Sequence, residues 1–500
     1  MNISLLIIFI FLCLALYLGI QAKQGKKMNM EQWAVGGRGF GTLFIFLLIA
    51  GEVYTTFTFL GGSGWAYSKG AAAYYVPSYI FLAYVLSYWL APKIWRYAKD
   101  NKLLSQPDFF ATKYRSPYLG VLVAIVGCLA LVPNIIIQFK GLGIIVSQSS
   151  YGAISQTAAS CIGALVVTIY VMVSGIHGSA WTSVIKDFMI LIVVVFLGLY
   201  IPFHYFGGIQ PMFEAVHHVK PELLTLPDQG LSTSWFISTV LLNAIGFYIM
   251  PTSFMVVLTA KGEKAIRKNA ILLPLYTILL LFVFFIGYAA VVQIPGLQGG
   301  EGDLSLLKLA TQTFDPWIVG FIGAAGLLTA LVPASVMLMS TSIGLTQNLY
   351  KVIVPSATER QLSFTSKGFI LLLSAISLYF TVNGSDALAI LNIMSYGLII
   401  QLAPALFFSF VKNNFVNKYG AFAGIIAGEL MVLYMTVTKK TIGTLLPYAS
   451  RAIQDINTGY IALLVNIIVM VVVSLVTKNI KINETKPENP RLVLHESKNE

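Results

Sequence analysis

Apolar residues run through this chain in blocks of about 20, without the apolar–polar alternation of a half-buried strand. Charges and turn residues punctuate the blocks. Thirteen of them read as membrane spans, near residues 3–21, 40–62, 73–95, 118–148, 152–174, 180–204, 233–259, 270–293, 315–346, 368–382, 386–410, 420–437 and 458–476. In lipid every backbone polar group must be paired inside the protein, so these runs are helices or strands of a closed barrel. Barrel strands of roughly 10 residues are too short to explain them. The expected fold is an all-α polytopic membrane protein with about 13 transmembrane helices. The blocks 118–148 and 315–346 exceed a bilayer's thickness and are expected to tilt or protrude. The first run, 3–20, has no basic n-region and no small-residue cleavage site, and reads as a retained span.

Composition removes the main rival to this reading. Hydrophobic residues make up 57% of the 500 and charged residues 10%, against roughly 25% charged in a soluble domain. The net charge of +12 is explained by placement. With the N-terminus outside, 24 of the 32 lysines and arginines fall on inner segments, 6 on outer segments and 2 within spans, the asymmetry of a cytoplasmic face. A nucleic-acid role is excluded on that ground. The expected location is the plasma membrane, multi-pass, with a cytoplasmic C-terminus. Residues 1–477 read as one transmembrane domain and the polar stretch 478–500 as a disordered cytoplasmic tail. Cys13, Cys128 and Cys161 lie in apolar runs without paired spacing and read as small hydrophobes, not disulfides or metal ligands.

Two spans carry interruptions. Phe59-Leu-Gly-Gly-Ser-Gly-Trp-Ala-Tyr-Ser-Lys-Gly70 concentrates Gly61, Gly62, Gly64 and Gly70, and Gly246-Phe-Tyr-Ile-Met-Pro-Thr252 contains Pro251. Glycines clear the approach to the backbone and Pro251 deletes an internal hydrogen bond. Either feature alone is equally a packing cluster or a kink. Five spans separate them, however, so they open two successive five-span blocks, about 40–204 and 233–410, and the odd number inverts one block relative to the other. Substrate sites of transporters lie on such paired interruptions, which nominates Thr58, Gly61, Gly62, Gly64, Phe247, Tyr248, Pro251 and Thr252 as substrate-binding.

Charged residues inside spans mark function by default. Glu52 falls near the midplane of its helix. Lys186 is read as a functional cation or as a snorkelling side chain, Asp187 as the structural partner of a lysine or arginine, Lys140 as a candidate of lower rank, and Glu429, outside the two blocks, as structural. Ser335, Ser340, Thr341, Ser342 and Thr346 are either ligands for a hard cation or hydroxyls that bind helices together.

These residues resemble the sodium:solute symporter family over nearly the whole chain. The likeness rests on the glycine-rich segment 59–70, on Gly175-Ile-His-Gly-Ser-Ala-Trp-Thr182 and on Leu345-Thr-Gln-Asn-Leu-Tyr-Lys351. Gly51-Glu-Val-Tyr-Thr-Thr-Phe-Thr-Phe-Leu60, Val184-Ile-Lys-Asp187, Thr259-Ala-Lys-Gly-Glu-Lys264 and Leu331-Val-Pro-Ala334 are most similar to its monocarboxylate permease branch. The resemblance implies a five-plus-five inverted-repeat core with broken helices, alternating access and cation-coupled uptake. It also implies a cation site at Gly51, Tyr54, Thr329, Val332 and Pro333. Val332 and Pro333 lack the two hydroxyls the family uses there. Ser183 stands where the family has an acid, Lys186 where it has a glutamine, and Thr252 where the branch has a histidine. A fixed ammonium beside a vacated cation site does electrostatically what a bound Na⁺ does. The ion-coupling set is therefore Glu52, Lys186, Ser183, Gly51, Tyr54 and Thr329, with H⁺ favoured over Na⁺ and no metal site assigned.

The resulting expectation is a symporter that takes up a small organic acid, a monocarboxylate by class, together with H⁺ or Na⁺, and that uses no cofactor. Its alternatives are a Na⁺-coupled symporter of another solute such as an amino acid or vitamin, and a transporter-like membrane sensor. An enzyme is not expected. Gly300-Glu-Gly-Asp303 matches the glycine–aspartate pattern of intramembrane proteases but falls in an outer loop, and no phosphate-cradling or H-E-x-x-H motif is present. Single cysteines at Lys264 and Lys440 should be labelled by an impermeant maleimide from opposite faces of the membrane; labelling from the same face overturns the topology.

Overall fold

Apolar blocks of this length pair their backbone in lipid by forming helices. The computed structural model, which describes residues 2–22 and 29–478, is helical throughout, with no strand among the described residues. Extended pairing is limited to one isolated bridge between Phe40 and Ala260. The tail expected from 478 onward lies, from residue 479, outside the described residues.

The spanning elements are α1 (Ile3–Gln21), the short α2 (Thr42–Val53) and α3 (Gly62–Lys69), α4 (Tyr75–Asp100), α5 (Pro117–Ser149) and α6 (Gln156–Phe206). They continue with α7 (Thr233–Phe247), α8 (Pro251–Leu258), α9 (Glu263–Thr277), α10 (Leu280–Gln293) and α11 (Pro316–Leu345). The last are α12 (Glu359–Asn383), α13 (Leu388–Ile399), α14 (Lys418–Thr438) and α15 (Gly459–Val476). Ends are set by local chemistry. Ser116 accepts from Leu119 N with Pro117 at the first turn, and Thr358 and Gln361 close a reciprocal capping box.

Among the described residues ten helices are long and apolar enough to cross a bilayer, and the bent pair α7–α8 makes eleven. The expected thirteen is reached only if α6 is divided at Gly175 and Phe57–Asp100 at Gly70. The 51 residues of α6 would extend ~76 Å as one straight helix, more than twice the ~30 Å hydrocarbon core. Its backbone leaves helical geometry at Gly175, with φ 60° and ψ −163°. The apolar blocks 152–174 and 180–204, and 40–62 and 73–95, part at these same two glycines.

Burial identifies the centre of the bundle. In α11 94% of the most apolar window is buried, against 22% in α1, so α11 is the central post and α1 a peripheral brace. Ser4 on α1 donates to Pro316 O at 2.6 Å, and Gly320 leaves room for the Ser4 backbone. The α11 hydroxyls serve as helix glue: Ser335 meets Ser179 at 2.7 Å and Ser342 meets Ser366 at 3.2 Å. At the periphery Gly420, Gly424 and Gly428 of α14 seat Ser474, Met470 and Asn466 of α15. A Cβ at Gly175 would lie 2.6 Å from Trp33 Cδ1, in a backbone region that side chains rarely adopt. Gly175→Ala should therefore cost about 1–3 kcal/mol, read as a lowered unfolding temperature of the purified protein in detergent.

Candidate functional site

Both interruptions are breaks in helices, and each is stabilised by side chains that take over orphaned backbone groups. The first lies at Tyr54 (φ −89°, ψ 81°) and Thr55, upstream of the glycine cluster, which itself sits within α3 and the π-type turn Phe57–Gly61. Thr58 Oγ1 donates to Val53 O at 2.6 Å and accepts from Thr55 N at 3.1 Å. Thr56 Oγ1 donates to Gln138 Oε1 at 2.7 Å, tying the break to α5. A hydroxyl at the right offset breaks this helix more economically than glycine, which explains the displacement from the expected position.

The glycines act instead as contact points. A Cβ at Gly61 would lie 3.0 Å from Leu388 Cβ, at Gly62 3.2 Å from Phe284 and at Gly64 2.7 Å from Asp303. Protein occupies the space these glycines leave.

The second break bends the chain by 42° between α7 and α8. Pro251 occupies the first turn of α8, where its missing N–H costs nothing. Ile249 O, freed by the break, accepts from Gln106 Nε2. Phe247 and Tyr248 pack edge to face at 5.1 Å, and Phe247 lies 6.0 Å from Tyr84. Thr252 is buried and faces Glu52 across the gap between the two breaks.

Glu52 is enclosed by the bundle yet keeps accessible surface, so it lines an internal space. Tyr396 of α13 also faces it. Tyr396 in turn stands 5.4 Å from Tyr79, which is 6.0 Å from Tyr75. Trp235 on α7 packs on Tyr75 at 5.5 Å. Along α7, Trp235, Thr239, Asn243 and Phe247 recur every four residues and share one face, so Asn243 is level with the stretch between Tyr79 and Tyr84. Asn243 is fully buried and neither amide atom has a partner; the hydroxyl of Tyr75 also has none. Buried polar groups are nearly always satisfied, and a concentration of unsatisfied ones marks a place where a polar ligand fits. Sequence reasoning overlooked Asn243, Tyr75, Tyr79, Tyr84 and Tyr396. The available signals were the tyrosine-rich start of the third span and one amide in an apolar run.

The ion-coupling candidates meet one helix turn away. Lys186 is fully buried, and its Nζ donates to Tyr54 O at 3.5 Å. A Cβ at Gly51 would lie 3.6 Å from Nζ and 3.9 Å from Val332 of α11. Lys186 Nζ is 2.5 Å from Asp187 Oδ1. Neighbouring residues leave a helix about 100° apart, but the lysine's four-carbon stem folds back to close the pair. Ser183 donates to Ser179 O at 2.8 Å and Thr329 to Gly326 O at 2.6 Å, so both hydroxyl protons are used within their own helices. Glu429 is buried without a partner outside this constellation, on α14.

A sodium:solute symporter family profile matches residues 33–428. The chain is 58% identical over 481 residues (96% of this chain, 98% of the other) to an uncharacterised symporter, YhjB, of Bacillus subtilis strain 168. It is 27% identical to a monocarboxylate transport permease protein of Rhizobium johnstonii, covering 85% and 87% of the two chains. Among solved structures, a Na⁺-coupled sialic acid symporter in a substrate-bound outward-open state superposes with a TM-score of 0.76 at 18% identity, covering 95% and 97%. Mhp1, a nucleobase-cation-symport-1 family transporter, superposes with 0.58 at 12% identity, covering 89% and 95%. At these identities the structural likeness speaks for the fold.

Replacing Gln138 by leucine removes the acceptor shared by the Thr56 hydroxyl and N–H and should cost about 1–3 kcal/mol, with Thr56→Val adding little on top of it. Thermal unfolding of the single and double variants checks it; fully additive losses would sink the anchoring role.

Proposed function

The chain belongs to the sodium:solute symporter family, and from that premise we propose that it is a secondary active transporter of a small organic acid, a monocarboxylate by class, driven by protons rather than Na⁺. The observation that carries the reading is the Lys186 ammonium beside Gly51, Tyr54 O and Val332, where the family resemblance puts a cation. Val332 and Pro333 offer no hydroxyl there. One charge therefore resides permanently where a Na⁺ would otherwise come and go.

An ammonium in a bundle core requires partners, because an isolated buried charge costs several kcal/mol. Asp187 neutralises it and Tyr54 O accepts from it. Charge-assisted bonds are roughly twice as strong as neutral ones. Protonated Lys186 thus pins the last turn of α2 to α6.

Substrate enters this scheme through charge. The carboxylate of the solute suits the N-terminal ends of α3 and α8. Asn243 and the Tyr75 hydroxyl are uncharged groups with unused hydrogen-bonding capacity, suited to the rest of a small polar acid. Glu52 faces the same space. Two carboxylates ~4 Å apart repel by about 4 kcal/mol at an effective dielectric of ~20. An anionic solute therefore favours the protonated form of Glu52, and proton and acid bind together. The relative named a monocarboxylate transport permease agrees in substrate class. The N-out, C-in orientation is adopted from the distribution of basic residues, with the plasma membrane as location and residues 1–477 as one domain.

In proteoliposomes, labelled lactate or pyruvate should accumulate under an inward pH gradient and show no response to a Na⁺ gradient at fixed pH. Lys186→Gln should lower pH-driven accumulation about tenfold or more while counterflow persists. Accumulation driven by Na⁺ alone would reject proton coupling, and absence of saturable counterflow for any C2–C5 acid would reject the substrate class.

A further inference from the structure

The proposed cycle leaves one buried ion cluster unused. It lies at the outer end of the bundle, in the orientation adopted above, where the short segment Gly299–Leu304 covers α3. Gly64 lets this segment sit directly on the helix: a Cβ there would be 2.7 Å from both Asp303 N and Asp303 Oδ1. In return, a Cβ at Gly302 would meet Gly64 O at 3.0 Å. Ser63 and Ser305 hydroxyls bond at 2.9 Å, and Tyr67 OH donates to Ile294 O at 2.8 Å and accepts from Leu297 N at 3.0 Å.

Asp303 then reaches beyond α3. Its Oδ2 accepts from Leu388 N at 3.0 Å, the first residue of α13, where a carboxylate complements the positive helix end. Lys140 of α5 donates to Asp386 O at 2.5 Å, just ahead of α13, and its charge acts on both Asp303 and Asp386. Both side chains are buried, Asp303 at 3% and Lys140 at 8% exposure. Four parts of the bundle thus converge on one carboxylate and one ammonium: the covering segment, the outer half of the first broken helix, the start of α13, and α5.

We propose that Asp303 and Lys140 are positioning residues of an outer gate, in which the carboxylate locks the covering segment and α3 to α13 while the ammonium locks the approach to α13 onto α5. Opening the transport path to the outside parts these elements together, so the two side chains set how often the outer path opens. The inference rests on the transport reading for its purpose. Its test, by contrast, reads accessibility and needs no substrate.

Water access changes the carboxylate. Burial pushes the Asp303 carboxyl up to about 6 in the closed arrangement, against the favourable effects of the Leu388 N–H and Lys140. Open to water it returns toward the ordinary value of about 3.9. The closed gate therefore holds the proton more tightly, and acid favours closure across the window between those two values. The charged groups around Asp303 are Lys140 from α5, Asp386 ahead of α13, Glu301 within the segment and Lys308 just beyond it.

The experiment uses the full chain with Cys13, Cys128 and Cys161 replaced by serine and one reporter, Ser63→Cys at the outer end or Thr259→Cys at the inner end. Both native residues are fully buried. Asp303→Ala and Lys140→Met should each raise maleimide labelling of the outer reporter about tenfold, the scale of losing one buried charge-assisted bond, and leave the inner reporter no faster. The double variant should be no faster than the quicker single one. Asp303→Asn keeps an acceptor for Leu388 N without the buried charge, so it should label more slowly than Asp303→Ala and, at pH 8, no faster than wild type. It should also lose the slowing of outer labelling at pH 5 relative to pH 8, measured against a free-thiol standard. If the charge variants fail to assemble, Gly64→Ala keeps both charged residues but pushes the segment off α3 at Asp303, and should expose the same reporter. Unchanged outer labelling in assembled variants, or equal acceleration at both reporters, overturns the gate. Failed acid uptake by the wild-type chain would reject the transport reading and leave these rates unaffected.

Discussion

A carbonyl released from a helix inside a membrane has no water to bond, so every break in a spanning helix has to be matched by a donor elsewhere in the protein. This constraint organises the bundle. Val53 O is taken by Thr58, Tyr54 O by Lys186 and Ile249 O by Gln106. Thr56 is held by Gln138 from α5. The interruptions are thus built from side chains on three other helices, and those helices are placed by the need to supply them.

The same constraint makes Lys186 more than a substitution for a glutamine. A bound Na⁺ would satisfy Tyr54 O only while present. An ammonium on a covalent tether satisfies it continuously, and its charge is balanced by Asp187 alongside. What remains variable is the proton. Placing Glu52 within electrostatic reach of Lys186, and facing Thr252 and Tyr396, sets a second ionisable group between the charge at the cation position and the space left for a solute. In the proposed cycle, coupling of an acid to a proton rests on the repulsion between two carboxylates in a medium of low dielectric.

The glycine-rich segment shows how one residue pattern serves two purposes. Read along the chain, Gly61, Gly62 and Gly64 suggest exposed backbone ready for a ligand. In the folded bundle each gives way to a neighbour from a distant part of the chain: Leu388, Phe284 and Asp303. Close approach is the common physical property, and the partner that exploits it is chosen by packing. Through Gly64 the first broken helix joins the segment that covers its outer end, so the site and its closure share one stretch of chain.

Hydropathy alone determined that this is a helical membrane protein, because lipid leaves apolar blocks of this length a single way to pair their backbone. Sequence motifs determined the family and the two interrupted spans, and showed Lys186 and Val332 where the family resemblance implies a cation, all of which depend on residue identity along the chain. Tertiary structure decided the rest. It moved the first break upstream to Tyr54–Thr55, since a threonine hydroxyl at the right offset can replace a helical bond and a glycine cannot. It brought Asp187 to Lys186, since rotamers and not helical angles decide where a long side chain ends. It gathered Asn243 with tyrosines from α4 and α13, and Asp303 with Lys140, since these meet across more than 100 residues of sequence, and only the packing of helices sets such distances.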